Sequence, residues 1–234
     1  MRDQLPGAVG ISKLHVYDTV TPDDLPGGTP HLHLCCTEAY VVVSGTGRVQ
    51  TLSGQDGFAE HTLRPGTVLW FTPGTIHRLV NTGGLEIIVL MSNTGLPEAG
   101  DAVLTFPLDI VRDQRRYAEA AALPDGGAPG ADITAAYRRR DLAVRGFHEL
   151  RDNGTLADFH DAAMRLKQPL LDDWRTRWDQ GARAAAELTG RQLAALIAGD
   201  PAHLRESRVS GKPGPDEQGR LGMCGLLDTY RHDR

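Results

Sequence analysis

The first hundred residues alternate between short apolar segments and turn-forming residues. The segments "KLHVYDTV", "AYVVVSG", "GRVQTL", "TVLWFT" and "LEIIVLM" are rich in β-branched and aromatic side chains, and Gly, Pro, Asn and Asp separate them. This pattern is typical of β-strands joined by tight turns. Because only turns separate the strands, it predicts an antiparallel double-sheet (jelly-roll) barrel rather than a parallel sheet.

From about residue 109 onwards, the apolar positions follow the period of an α-helix. One helix is predicted from Asp109 through "DIVRDQRRYAEAAAL", and a second through "ITAAYRRRDLAVRGFHEL". A third is predicted to begin after Thr155 as its N-cap, and a last one covers "RQLAALIAGDP". Residues 206–220 are polar and rich in Gly and Pro, which favours mobility, whereas "LGMCGLLDTY" is apolar enough to pack again as a last strand or a flap.

These patterns predict a mainly β N-terminal half followed by an α-helical region. The expected division is a barrel over residues 1–108, a helical extension over 109–205, and a mobile segment with a C-terminal tail over 206–234. The extension either caps the barrel mouth or packs on a partner subunit, with Trp174 and Trp178 in the contact. We predict a homodimer.

Composition and charge indicate which binding partners and which cellular location to expect. The chain has 234 residues and a net charge of −5, which argues against a nucleic-acid or anionic-membrane partner. No apolar run approaches the roughly 20 residues that cross a bilayer, and the first residues lack the apolar core of a signal peptide, so a cytoplasmic location is expected. Cys35, Cys36 and Cys224 form no disulfide framework and are predicted to be reduced core residues.

The stretch "HLHLCCTEAY" carries the strongest chemical signal. His31 and His33 are two residues apart, so on a strand both imidazoles point to the same face. Glu38 follows at a spacing that breaks strand parity, which predicts a turn or bulge in "LCCT" and places Glu38 on the next strand. The three side chains are either a coincidence or ligands of one metal ion.

A second stretch, "RPGTVLWFTPGTIHRLVN", lies about forty residues further on. A strand enters the turn at Pro73 and leaves it with His77 three residues later. This arrangement can bring a third imidazole to the same point.

Together the two stretches resemble the paired motifs of the cupin superfamily. For the first motif the chain supplies Gly27, Gly28, His31, His33, Glu38 and Gly45. For the second it supplies Gly66, Pro73, Gly74, His77 and Asn81. Two departures, a glycine closer to the histidines and a Pro directly before Gly74, concern turn geometry rather than ligand identity.

This resemblance implies that His31, His33, Glu38 and His77 bind one divalent metal ion inside the barrel. Imidazole and carboxylate ligands suit Fe, Mn, Ni, Zn or Cu, and the sequence leaves the choice open. The resemblance also implies a metal-dependent enzyme that acts on a small polar organic molecule, with dioxygenase-type oxidation as the leading hypothesis. The alternatives are a cupin isomerase, decarboxylase or lyase that uses the metal as a Lewis acid, or a non-catalytic sugar- or metabolite-binding cupin.

Two further residues are candidates for catalysis. Tyr40 is predicted to face the cavity, where it either hydrogen-bonds substrate or donates a proton, or simply fills the barrel. Arg140 falls within the apolar stripe of the second predicted helix. It either extends past its neighbours to water or is a buried cation that binds a substrate carboxylate or phosphate.

Overall fold

The computed structural model describes residues 5–230, in which β-strands dominate the first half. The strands are β1 (Gly10–Val16), β2 (His31–His33), β3 (Glu38–Ser53), β4 (Gly57–Leu63), β5 (Val68–Phe71), β6 (Ile76–Met91), β7 (Ala102–Leu104), β8 (Glu217–Leu221) and β9 (Gly225–Thr229). All the strand pairings of the described residues are antiparallel, in the order β4-β3-β6-β1-β9-β8. In addition, β5 pairs with β3, and β2 pairs with both β6 and β7. The predicted β-barrel architecture is confirmed.

The long strands β3 and β6 explain how the barrel curves. Each has 16 residues, and irregular pairing between Val42 and Gly47 interrupts their ladder. Such bulges bend a strand and increase its twist, so β3 and β6 can follow the curvature of the barrel. Alternate side chains of β3 point inward, as predicted, and Glu38, Tyr40 and Val42 are all buried.

Helices dominate residues 108–197. They are α1 (Leu108–Val111), α2 (Gln114–Ala121), α3 (Ile133–Asn153), α4 (Leu156–Lys167), α5 (Leu171–Trp178) and α6 (Ala184–Ile197). The single helix predicted from Asp109 is wrong, because the Asp113 carboxylate accepts hydrogen bonds from the N–H groups of Arg115 and Arg116 and so starts a new helix. Thr155 does precede α4, but its side chain makes no capping hydrogen bond.

The helical region packs directly on the barrel. One apolar core joins barrel side chains to the inner faces of α3 and α4, and its largest members include Leu32, Ile76, Phe106, Phe147 and Phe159. By contrast, α6 has no buried residue. The extension therefore covers one side of the barrel within this chain, while the three-part domain division stays a prediction.

Gly146 sets how closely α3 approaches the barrel. A Cβ atom at this position would lie 2.1 Å from the Thr105 carbonyl oxygen, which is rigid backbone. We expect Gly146→Ala to lower the free energy of unfolding by about 1–3 kcal/mol, because the helix must move outward. Gly190→Ala in α6 is the control: no atom lies within 4 Å of the added carbon, and a gain of roughly 0.5–1 kcal/mol is expected in denaturant unfolding.

Part of the C-terminal segment is folded rather than mobile. β9 pairs with β1 from Ser12↔Thr229 to Val16↔Gly225, and β8 pairs with β9, so a hairpin extends the sheet. The apolar stretch "LGMCGLLDTY" accordingly includes a last strand. Residues 231–234 of the predicted tail lie outside the described residues.

No helix within residues 5–230 combines the length and the apolar character that a membrane span requires.

Candidate metal centre

Four buried residues meet inside the barrel, and all four were predicted from the sequence. His31 and His33 come from β2, Glu38 opens β3, and His77 lies near the start of β6. His31 and His77 are directly opposite each other in the β2–β6 pairing, which brings their imidazoles together. The four side chains offer one ligand atom each, and these atoms lie within 4.8 Å of one another.

The Glu38 carboxylate is the centre of this group. Its Oε2 atom lies 2.8 Å from His77 Nε2, 3.2 Å from His33 Nε2 and 4.0 Å from His31 Nε2. His31 Nε2 and His77 Nε2 are 3.2 Å apart. Each of the four residues is at most 6% exposed, so bulk water does not separate these atoms.

The opposite nitrogen of each imidazole is held in place. His31 Nδ1 donates to the Thr29 carbonyl at 2.9 Å, and His77 Nδ1 donates to the Thr75 carbonyl at 3.1 Å. His33 Nδ1 lies 3.1 Å from the carboxylate of Asp101. Because these oxygens can only accept, each Nδ1 carries a proton, so in the neutral form of each ring the Nε2 lone pair points inward.

This arrangement fits a divalent cation. Metal–ligand bonds of about 2.1 Å allow donor atoms of one ion to lie from roughly 3 to 4.2 Å apart, which is close to the separations above. Two lone pairs 3.2 Å apart repel unless positive charge lies beside them. Within residues 5–230, Glu38 Oε2 is also a buried atom without a hydrogen-bond donor. The residues therefore fit the predicted ligand role for an ion whose identity stays open.

The electrostatics of the group are strongly coupled. Burial lowers the pKa of His31 well below its usual value, and repulsion from His77 and His33 adds to this. Burial also lowers the pKa of His33, but its interactions with the carboxylates of Asp101 and Glu38 outweigh burial and raise the pKa to about 9. For Glu38 burial raises the pKa, yet the interactions with His77 and His33 outweigh it and hold the pKa well below the usual range. The site therefore stabilises Glu38 as a carboxylate, the form that binds a cation.

Tyr40 lies beside the same group of side chains. Its ring packs edge-on against Phe71 and His77, at centroid distances of 5.1 and 6.1 Å. Burial, followed by the charge of Glu38, raises the pKa of Tyr40 well above its usual value, so the phenol keeps its proton. Phe71 stacks on His77 at 4.6 Å. Tyr40 is therefore placed to donate a hydrogen bond beside the carboxylate, and its catalytic role stays a prediction.

Arg140 is placed differently from the other candidates. Its side chain is buried rather than extended to water, and it donates to the carbonyls of Thr19, Val20 and Gly27. It also contacts Asp141 at 2.9 Å. These contacts tie α3 to the loop that precedes β2 and support a structural role, while its function as a substrate anchor stays an untested prediction.

Two residues beside the centre were not anticipated. Asp101, which contacts His33, lies 68 positions away along the chain, and no spacing rule connects the two. Cys224 reaches the site from the C-terminal hairpin, with its Sγ atom 4.0 Å from His31 Nδ1. Cys36 and Cys224 are buried free thiols as predicted, whereas Cys35 is exposed, contrary to prediction.

Fold and site together define an antiparallel β-barrel protein with a buried group of side chains that could hold a metal ion. Residues 19–92 match the family model of the Cupin domain. This part of the chain is therefore a cupin domain, and it carries all four candidate ligands. No curated protein sequence matches the chain.

Similar solved structures cover only part of the chain. Streptomyces Pac13, described as a nucleoside dehydratase, is 15% identical with a TM-score of 0.33, and the alignment covers 43% of this chain and 70% of Pac13. CapF of Staphylococcus aureus, a capsular polysaccharide assembling protein, is 19% identical with a TM-score of 0.28 over 39% of this chain and 25% of CapF. The 11S allergen of Cocos nucifera is 14% identical with a TM-score of 0.31, over 36% and 22%. The chain therefore spans about a quarter of CapF.

Proposed function

We propose that the chain is a metal-dependent enzyme that acts on a small polar organic molecule, and that dioxygenase-type oxidation is its reaction class. The convergence of three Nε2 lone pairs and one carboxylate oxygen in a buried site is the observation that carries this proposal. His31, His33, Glu38 and His77 would hold the ion. When bound, a redox-active ion such as Fe(II) supplies the electrons for dioxygen chemistry and a Lewis acid for substrate oxygens.

The protein residues would supply orientation and a dry cavity. The Nδ1 hydrogen bonds fix the planes of the three imidazoles, so the ligands need little rearrangement. Phe71 and Tyr40 pack beside His77, where they would exclude water and limit the shape of the substrate. Tyr40 keeps its phenolic proton and would donate it to a substrate oxygen.

A second candidate function uses the same ligands without oxidation. The protonated phenol of Tyr40 near the ligand Glu38 would act as a general acid beside a metal that serves as Lewis acid, which suits a lyase, isomerase or decarboxylase. A sugar- or metabolite-binding protein without catalysis is the third alternative. The cytoplasmic location and the homodimer stay predictions.

Metal content combined with turnover tests the proposal. Protein purified without affinity metal is analysed for Fe, Mn, Ni, Cu and Zn, then reloaded with each ion and screened with catechols and dicarbonyl compounds. We expect about one ion per chain and substrate-dependent oxygen consumption with Fe(II). Turnover without oxygen consumption would replace the oxidation with the second candidate. Tight metal retention without turnover favours the binding protein, and failure to retain any ion refutes the proposed metal site.

A further inference from the structure

Asp101 is a fully buried carboxylate outside the four ligands and outside residues 19–92. It directly precedes β7, which pairs with β2, so its position next to His33 follows from the sheet register His33↔Ala102. Its carboxylate contacts three donors. Oδ2 lies 3.1 Å from His33 Nδ1, while Oδ1 accepts from Cys35 N at 2.8 Å and Oδ2 from Cys36 N at 3.2 Å. The buried charge is therefore well satisfied.

Two of these donors belong to the segment that separates His33 from Glu38, and the third is His33 itself. Residues 34–37 form the turn that lets both side chains face the barrel interior despite their odd spacing. Two backbone N–H groups of this turn, those of Cys35 and Cys36, bond to Asp101 instead of to another strand. One carboxylate therefore fixes the ring of one ligand and the start of the strand that carries the next.

Among residues 5–230, no carboxylate contacts the Nδ1 atom of either of the other two histidines. His31 and His77 donate to carbonyls of residues two positions earlier in their own segments, Thr29 and Thr75. Those partners are backbone carbonyl groups, which are present whatever side chain the residue carries. The orientation of His33 instead depends on a side chain 68 positions away, which a single substitution can remove.

We propose that Asp101 is a positioning residue of the metal centre, which sets His33 and Glu38 in register for a shared ion. This inference rests on the metal site of the proposed function. It assigns a role to a residue that would not coordinate the ion and would not touch substrate.

The helical extension supports the loop that presents Asp101. Trp174 of α5 donates from Nε1 to the Ala99 carbonyl at 3.1 Å. The Lys167 ammonium, at the end of α4, lies against Gly100, and its positive charge acts on Asp101. The extension therefore reaches the metal centre through Asp101, although none of the four ligands lies on a helix.

Titration with Co²⁺ and Zn²⁺ tests this role in the full-length protein. Asp101→Asn keeps the size of the side chain, but its amide has a single acceptor oxygen and cannot satisfy all three donors. We expect a 10- to 100-fold weaker Co²⁺ and Zn²⁺ affinity and an altered visible absorption spectrum of bound Co²⁺. Asp113→Asn is the matched control, because Asp113 also accepts from two backbone N–H groups but caps the exposed start of α2. Its affinity and spectrum should equal those of the wild type.

The outcomes of this titration distinguish the positioning role of Asp101 from the proposed metal site itself. If the wild type binds neither ion, the proposed function fails. If the wild type binds and Asp101→Asn gives the same affinity and spectrum, the positioning role is refuted. Should Asp101→Asn not fold, Asp101→Glu retains the charge but displaces the carboxylate, and it should fold with a changed Co²⁺ spectrum. An unchanged spectrum and affinity in the Glu variant also refutes the role.

Discussion

Replacing His77 with Gln is expected to remove metal binding and all metal-dependent activity. His77 Nε2 lies closest to the Glu38 carboxylate and only 3.2 Å from His31 Nε2. It therefore takes part in two of the short contacts between candidate ligand atoms. Substitution of residues that hydrogen-bond to metal ligands already lowers metal affinity roughly 10- to 100-fold, so loss of a ligand itself should lower it at least about 100-fold. Elemental analysis of the purified variant and Zn²⁺ titration measure this loss.

Thermal and denaturant unfolding provide a second measurement of the same change. A ligand that binds only the folded state stabilises it by about 2.7 kcal/mol at one hundred times its dissociation constant. The wild type should show this gain with added Zn²⁺, and His77→Gln should show none. His61→Gln is the control, because His61 lies exposed on β4 and should leave the gain intact. A metal-dependent gain retained by His77→Gln would contradict the assigned ligand set.

Replacing Arg140 with Met is expected to reduce stability strongly without changing metal affinity. The substitution removes the Arg140 donor from the carbonyls of Thr19, Val20 and Gly27, although the Thr19 carbonyl still accepts from the N–H of Gly27. An unsatisfied buried acceptor costs about 1–3 kcal/mol, and partial rehydration limits the total loss to about 3 kcal/mol. Urea unfolding monitored by circular dichroism measures the loss, and Zn²⁺ titration monitors the site.

Arg138→Met is the matched control for this prediction. Arg138 lies on the same helix with an exposed side chain, so the same substitution should change stability by less than about 0.5 kcal/mol. A stable Arg140→Met protein that loses affinity for an anionic substrate would instead support the substrate-anchor hypothesis. Equal stability of both variants would contradict the structural role.

The ligand set could be predicted from sequence because the direction of a side chain on a strand depends only on its position along that strand. Residues two apart share a face, so His31 and His33 converge without any knowledge of the rest of the chain. The odd spacing to Glu38 required a turn, and the Pro-Gly turn before His77 marked the return of a strand. The four ligands occupy three strands that short-range patterns alone delimit.

The partners of those ligands depend on long-range register and were not predictable in the same way. Asp101 reaches His33 through the pairing of β2 with β7, and Cys224 reaches His31 through the pairing of β9 with β1. The position of Arg140 in an apolar stripe showed that it was unusual, but not which carbonyls it would meet. The break at Asp113 was missed because a capping aspartate lies inside an otherwise continuous helical pattern.

The pairing of β1 with β9 affects the order in which this protein can assemble during synthesis. Ser12 and Thr229 are neighbours in the sheet, so one edge of β1 has no native partner until residues 225–229 have been synthesised. Contacts of such long range slow folding, and an open strand edge invites pairing with other nascent chains. Newly made chains should therefore be most prone to aggregation before β9 has paired with β1.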